Sequence, residues 1–234
     1  MRALLLAAGL GSRLRPLTNH TPKCLLPIKD KPLLEYWLEN LSAVGVDEFL
    51  INSSYLHEQV EAFVQKSRFK EQINLTYEPQ LLNTAGTLLA NKTFFEEESF
   101  MLVHADNLCF CDFSQFIDSH KNRDKKCVMT MMLFESDTPS SCGIVELDSN
   151  NIVQKFHEKV PNPPSNLANG AVYICEPSIF EFLEKENLDF SLDVIPHYLG
   201  KINTYRNTTY HRDIGTPQSY ALAEKEVGAY IKLG

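Results

Sequence analysis

At 234 residues with 44% apolar content, the chain is long enough to bury one sizeable core, and no segment of it approaches the length of a membrane span. A net charge of −8 argues against nucleic acid or an anionic membrane as partner. Six cysteines (Cys24, Cys109, Cys111, Cys127, Cys142, Cys175) include no Cys-x-x-Cys pair, which fits reduced structural thiols in a cytoplasmic protein; Cys109-x-Cys111 is a thin two-ligand metal signal.

The first predicted element is a buried strand over residues 3–8, entered too quickly from Met1 for a signal peptide. It runs into Leu6-Ala7-Ala8-Gly9-Leu10-Gly11-Ser12, where small residues let the backbone approach a ligand and glycine permits positive φ. Arg13, Arg15 and Lys23 follow within one short loop. That density of cations suits a polyphosphate, and a plain strand-to-helix turn with solvated cations is the competing reading. Residues 1–32 hold six cations and one acid, a net +5, so the remainder carries −13. An acidic protein has gathered positive charge beside its glycine turn, a field that holds a polyphosphate locally. Two common phosphate motifs are excluded. The dinucleotide fingerprint needs a third small residue where Leu14 stands, and no Gly-Lys-Ser/Thr closes a four-residue gap after Gly9.

Leu33, Leu34, Trp37, Leu38 and Leu41 recur at helical spacing, with Pro32 suited to the first turn. A strand over residues 48–53, a helix over 57–64, a strand over 73–77, a helix from about 85 and a very apolar strand over 100–103 follow. This βαβα order predicts an α/β fold with a largely parallel sheet covered on both faces, ligands collecting at the carboxyl ends of its strands. Beyond about residue 126 the strand-like runs over 127–133, 143–147, 152–156 and 171–174 predict a mixed region with antiparallel pairs. A helix is expected after Glu176-Pro177 and another from Thr216-Pro217, so the chain should end on a helix. No linker, repeat or low-complexity tract interrupts this, residues 160–165 reading as a rigid surface loop. One domain over 1–234 is expected, with a nucleotide half (about 1–125) and a second half (about 126–234).

Several residues fit either chemistry or structure. Asp106, at the end of the apolar strand, suits a metal carboxylate or a helix N-cap equally. Asp213 reads as an N-cap or turn residue. Asn83 or Thr84 can cap the helix that follows. Glu158-Lys159 reads as a solvated strand end, Gly143 and Gly170 as bulges, and His104 as a satisfied rim histidine.

Taken together, Gly9-x-Gly11-x-Arg13-x-x-Pro16-x-Thr18 followed by Pro22-Lys23 resembles the opening motif of the sugar-phosphate nucleotidyltransferases, or nucleotide-sugar pyrophosphorylases. The resemblance continues in the family's order through Asp213. It implies a Rossmann-like three-layer α/β/α fold with a mixed, mostly parallel central sheet. It implies Mg²⁺-dependent transfer of a nucleoside monophosphate from an NTP to a sugar 1-phosphate. Leu6, Ala7, Ala8, Gly9, Gly11, Ser12 and Arg13 would bind the nucleotide, together with Glu78, Asn83, Thr84 and Gly86 in Glu78-Pro-Gln-Leu-Leu-Asn-Thr-Ala-Gly-Thr, which resembles the nucleobase loop. Asp106 matches the metal ligand at its strand end, with Ala105 where the family more often has glycine, and Asp213 matches the Asp of the Asp-x-Gly-Thr motif. Arg13, Lys23 and Asp106 would be the catalytic groups. Gly143, Glu158 and Lys159 of the Phe-x-Glu-Lys motif, and Asn169 would bind the sugar phosphate; Gly170 falls one place early against the Asn-small-Gly pattern.

Leu-Asn-Thr-Ala-Gly-Thr and His-Ala-Asp-Asn resemble mannose-1-phosphate guanylyltransferase-like single-domain members most, so GTP is the favoured nucleotide. Related members acting on heptose, N-acetylmuramate or glucose 1-phosphate share most of these motifs. A non-catalytic nucleotide-sugar sensor is the alternative from another class, which retention of both carboxylates and both lysines argues against. No hexapeptide repeat follows Asp213, so the β-helix that many members append is not expected. A homo-oligomer is compatible with the chain; nucleic acid and membrane are not expected as partners.

Overall fold

The hydrophobic pattern becomes alternating strands and helices. The computed structural model describes residues 1–183 and 188–231. In chain order the elements are β1 (Arg2–Leu6), β2 (Pro27–Ile28), β3 (Lys31–Pro32), α1 (Leu33–Ser42), β4 (Glu48–Ser53), α2 (His57–Lys66), β5 (Ile73–Tyr77) and α3 (Asn83–Ala90). Then come β6 (Phe100–His104), β7 (Asn107–Phe110), α4 (Phe113–Lys121), β8 (Met129–Glu135), β9 (Gly143–Leu147) and β10 (Val153–Glu158). β11 (Leu167–Cys175), α5 (Ile195–His197), β12 (Ile202–Arg206), β13 (Tyr210–Asp213) and α6 (Pro217–Glu226) complete the chain. Two units interleave along it: Met1–Leu81, Val103–Cys111 and Thr209–Gly234 form the first, and Leu82–Leu102 and Asp112–Thr208 the second.

In the first unit β4 lies between β1 and β5, parallel to both, with Leu4 opposite Leu50 and Ile51 opposite Leu75. β1 and β4 are near-continuous apolar runs because both their faces are covered, as parallel strands usually are. α1 buries Leu33, Leu34, Trp37, Leu38 and Leu41, and its Trp37 Nε1 donates to the Asn107 carbonyl at 2.8 Å. Burial of such side chains is worth about 1.5–3 kcal/mol each, so packing rather than helix propensity holds α1. β7 and β13 pair as an antiparallel ribbon, Asn107 opposite Asp213. α6 starts where Thr216 Oγ1 accepts from Ser219 N–H at 3.1 Å and Pro217 occupies the first turn, a reciprocal capping box. Ile28, Leu33, Leu108, Ile214, Ala223 and Val227 form the core joining these pieces.

The second unit is mostly antiparallel. β8 pairs with β11 (Met131 opposite Tyr173), β11 with β9 (Ala168 opposite Ile144) and β9 with β10 (Val145 opposite Phe156), while β12 runs parallel to β8. A polar knot ties these strands to α4. His120 shares hydrogen bonds with Thr130 Oγ1 at 2.8 Å and Glu176 Oε1 at 2.9 Å; Ser99 and Arg123 also donate to that oxygen, at 2.8 and 2.5 Å. A half-buried carboxylate oxygen with this many partners locks α4 against the ends of β8 and β11.

The α/β class with a mixed sheet stands, as do the strands at 48–53 and 73–77 and the antiparallel pairs beyond 126. Three local expectations differ. Pro32 precedes α1 in extended geometry, because it still pairs with Pro27 in the β2–β3 ribbon. The helix expected after Glu176 is a 3₁₀ stretch, Pro177–Glu181. Among the described residues the last elements are α6 and a 3₁₀ turn at Val227–Ala229, and residues 232–234, on which the expected helical end partly falls, lie outside the described residues. Among the described residues no helix is long and apolar enough to cross a membrane.

Candidate active site

β1 stops at Leu6, and the chain turns through Gly9 and Gly11 into a 3₁₀ turn at Ser12–Leu14. Gly11 takes φ +60°, and a Cβ there would lie 2.8 Å from Thr18 Cγ2 and 3.3 Å from Lys23 Cβ. Conformation and space both demand glycine. Thr18, fully buried, donates Oγ1 to the Gly11 carbonyl at 2.8 Å and so clamps the turn from below. Gly9 is different, with open space around its would-be Cβ. The amides of Gly9, Leu10, Gly11 and Ser12 donate to no protein acceptor among the described residues. Leu6, Ala7 and Ala8 bury their side chains, whereas Gly9, Leu10, Ser12 and Arg13 are exposed. A largely exposed run of N–H groups with no protein acceptor, beside Arg13, has the chemistry to receive an anion.

The carboxylates come together through the β7–β13 register. Asp106 occupies the tight turn between β6 and β7, and Asp213 ends β13 opposite Asn107. Lys23, 6% exposed at the start of a 3₁₀ turn, sets its Nζ 2.7 Å from Asp106 Oδ2 and 3.4 Å from Asp213 Oδ1. One ammonium thus holds both carboxylates within hydrogen-bonding reach. Burial alone would raise the Asp106 carboxyl; the Lys23 ammonium, with His104 and the hydrogen bonds Asp106 accepts, holds it below the usual range, so Asp106 is ionised at neutral pH. Neither Asp caps a helix. Thr216 caps α6, and a strand rather than a helix follows Asp106. Gly215 completes the cluster: a Cβ there would lie 2.7 Å from Asp213 Oδ2 and 3.1 Å from Arg13 Nη2, so the Asp213 carboxylate and the Arg13 guanidinium converge on its bare Cα.

This donor set fits Mg²⁺. Among the described residues no group of three or more His, Cys, Asp or Glu is placed to hold a metal, so the protein offers two carboxylates and no cage. Mg²⁺ suits such a site, since it is bound through one or two carboxylates with water and substrate phosphates filling the rest.

The second unit holds Gly143, Glu158, Lys159 and Asn169 in one cluster and Asn83, Thr84 and Gly86 in another, while Glu78 belongs to the first unit. Gly143 faces the Phe156 ring and the Glu158 carboxylate; an added Cβ would overlap Phe156 Cζ and sit 2.8 Å from Glu158 Oε2. Close approach, not a bulge, explains this glycine, because Gly143 and Glu158 pair in regular register. Lys159 has φ +49° and an exposed side chain whose Nζ lies 2.8 Å from Glu158 Oε1. Asn169 braces the bulge that β11 does contain. Its Nδ2 donates to Tyr173 Oη at 2.6 Å and its Oδ1 accepts from Ala171 N–H at 2.9 Å, and Ala171 rather than Gly170 takes the positive φ, +53°. In the other cluster, neither Asn83 nor Thr84 caps α3. Asn83 itself opens the helix with φ +62°, and the Thr84 hydroxyl is turned to Asp189 and Phe190, accepting from Phe190 N–H at 2.7 Å. Gly86 is buried one turn into α3.

Sequence reasoning passed over three residues here. Asn52 accepts from the Ala7 amide at 2.7 Å and donates to Glu78 Oε1 at 3.0 Å; its one signal was a polar residue late in the apolar run of β4. Asp189 caps the turn that pins Thr84, accepting from Ser191 and Leu192 N–H. Gly215 is the glycine of the Asp-x-Gly-Thr motif, two positions after Asp213.

A family model described as Nucleotidyl transferase matches residues 2–229. The chain is 32% identical over 225 residues to a mannose-1-phosphate guanylyltransferase catalytic subunit beta of Drosophila melanogaster, covering 94% of this chain and 60% of that protein. It is 30% identical over 211 residues to a UTP--glucose-1-phosphate uridylyltransferase of Synechocystis sp., covering 84% of this chain and 54% of that one. The chain thus spans little more than half the length of these curated relatives. The solved structure of HddC from Yersinia pseudotuberculosis complexed with GMP-PN superposes with a TM-score of 0.81 at 25% identity, over 96% of this chain and 98% of that one.

Proposed function

The chain belongs to the nucleotidyl transferase family, and from that premise we propose that it transfers a nucleoside monophosphate from an NTP to a sugar 1-phosphate, releasing pyrophosphate. The observation that carries the reading is the Lys23 ammonium between Asp106 and Asp213, in the same unit as the turn of unpaired amides. A phosphate oxygen of the sugar phosphate attacks the α-phosphorus; the bond to the bridging oxygen breaks, and its electron pair leaves with pyrophosphate. The attacking oxygen is already ionised near neutral pH, so no general base is needed. Catalysis then consists of alignment and charge neutralisation. Arg13 and the amides from Gly9 to Ser12 hold the triphosphate. Lys23 neutralises charge building on the α-phosphate and its attacker, and Lys159 positions the sugar phosphate, with Glu158 and Asn169 for its hydroxyls. Asp106 and Asp213 would hold Mg²⁺, which supplies Lewis-acid neutralisation of phosphate oxygens.

For the pairing, GTP with mannose 1-phosphate is favoured, supported by the Drosophila relative's name and the GMP-PN in the HddC structure. The Synechocystis relative supports uridylyl transfer to glucose 1-phosphate as the second choice. The test is pyrophosphate release with Mg²⁺ across ATP, GTP, CTP, UTP and dTTP against several sugar 1-phosphates. Turnover with one pairing establishes reaction and specificity together. Nucleotide binding with no turnover against any sugar phosphate would overturn the reading in favour of a nucleotide-sugar sensor.

A further inference from the structure

The middle strand of the first unit ends on a side chain that the proposed chemistry does not use. β4 runs between β1 and β5 with Leu6 opposite Asn52 and Asn52 opposite Thr76. A residue at this end of β4 is therefore flanked by the loops leaving both neighbouring strands, the glycine turn after β1 and the Glu78 segment after β5. Asn52 is 3% exposed and reaches both. Its Oδ1 accepts from Ala7 N–H at 2.7 Å, and its Nδ2 donates to Glu78 Oε1 at 3.0 Å. Glu78 is itself 4% exposed, and its backbone N–H donates to the Ser53 carbonyl at 2.8 Å.

The polarity of this bridge is dictated from both ends. A backbone N–H can only donate and Glu78 Oε1 accepts, so the side chain between them accepts on one side and donates on the other. A short carboxamide does both without charge. Aspartate of the same length would meet Glu78 with a second carboxylate, and leucine would remove both the acceptor of the Ala7 N–H and the donor to Glu78 Oε1.

We propose that Asn52 is the positioning residue of the nucleotide site: its amide fixes the glycine turn and the Glu78 carboxylate at one set separation before the nucleotide arrives. This rests on the nucleotide reading of residues 6–13 and Glu78. The two ends of the bridge belong to segments that would meet opposite ends of an NTP, so loosening it weakens nucleotide capture and leaves the sugar phosphate untouched.

The test uses the full chain and four variants, Asn52→Leu, Asn52→Asp, Glu78→Gln and the double variant Asn52→Asp/Glu78→Gln, with two readouts. Amide hydrogen exchange without nucleotide follows the Ala7 N–H, expected slow in the parent, fast in Asn52→Leu and slow again in the double variant. In the double variant the polarity of the second hydrogen bond is reversed: the carboxylate introduced on β4 accepts from both the Ala7 N–H and the side-chain amide introduced after β5. Steady-state kinetics with GTP and mannose 1-phosphate, or the pairing found active, should show KM for the NTP raised about 10- to 100-fold in Asn52→Leu, the scale of losing a hydrogen bond to a charged group, with KM for the sugar phosphate within about twofold. Asn52→Asp should be impaired at neutral pH and improve as pH falls, because two facing carboxylates share a proton. An NTP KM in the double variant lower than in Asn52→Asp and equal to that of Glu78→Gln alone, which carries any loss of Glu78's own nucleotide contact, supports the proposal even if Asn52→Leu fails to fold. Altered exchange at Ala7 with an unchanged NTP KM would overturn the proposal and leave the nucleotidyl-transfer reading intact. Failure of the parent to bind any NTP would overturn both.

Discussion

Replacing Gly215 by alanine puts one methyl group where Asp213 and Arg13 converge. The new Cβ would stand 2.7 Å from Asp213 Oδ2 and 3.1 Å from both Asp213 Oδ1 and Arg13 Nη2. Ordinary carbon–oxygen contact begins near 3.4 Å, so the carboxylate must retreat by roughly 0.7 Å. Gly215 is buried while the Asp213 side chain is 54% exposed, so the side chain rather than the backbone gives way. The fold should therefore lose only about 1 kcal/mol, the low end for overpacking, and Tm no more than about 4 °C. Catalysis should lose more. A misplacement of about 1 Å can cost on the order of 100-fold, so roughly 0.7 Å predicts a fall in kcat of about 25-fold, near 2 kcal/mol on the barrier. The assay is steady-state pyrophosphate release with each substrate varied, beside thermal denaturation of the same samples. Asp213→Ala and the double variant complete a cycle, in which Gly215→Ala should add almost nothing once Asp213 is gone. A kcat within about twofold of the parent at unchanged Tm would refute the reasoning.

Three further outcomes are expected. Lys23→Ala and Asp106→Ala should each lower kcat by about 10²–10³ while the far-UV dichroism and Tm stay near the parent's; near-normal turnover in either would remove the Lys23–Asp106 pair from the mechanism. Gly143→Ala should raise KM for the sugar phosphate by about tenfold and cost roughly 1–3 kcal/mol of stability, because Phe156 and Glu158 must both move; titration of the sugar phosphate and urea unfolding check the two halves. Burial, reinforced by Arg123 and opposed by Glu176, pushes His120 down to about 4, so the unfolded chain binds more protons between about pH 6.5 and 4. The stabilising contribution is full above about pH 6.5 and is lost as pH falls toward 4, up to about 3 kcal/mol, and urea midpoints should show a shallower slope across that window in His120→Gln.

Much of the fold was written locally. β4 matches the run over 48–53 because a strand buried on both faces needs a near-continuous apolar stretch, and β5, half-exposed, matches 73–77 through the alternation of Ile73, Leu75 and Tyr77 with polar residues. Thr216-Pro217 marked the start of α6 for the same local reason, a side-chain acceptor followed by a residue without an N–H. The sequence alone also determined which residue types gather in the glycine turn and that Lys23 follows it closely, since those depend on neighbours along the chain.

What tertiary structure decided are the pairings across long separations. Asp106 and Asp213 meet at Lys23 because β7 and β13 pair in a register that no local pattern encodes. Neither caps a helix there, since Thr216 caps α6 and a strand follows Asp106. Thr84 was legible as a helix start, yet its hydroxyl is taken by Asp189 and Phe190, over a hundred positions away. Asn52 shows the principle most plainly. Its character as a buried polar residue belongs to the sequence, but its two partners exist only because parallel pairing sets the end of β4 between the loops that follow β1 and β5. Hydrogen-bond partners of a side chain are a matter of proximity in space, and proximity between distant segments is a property of the packed sheet rather than of any stretch of sequence.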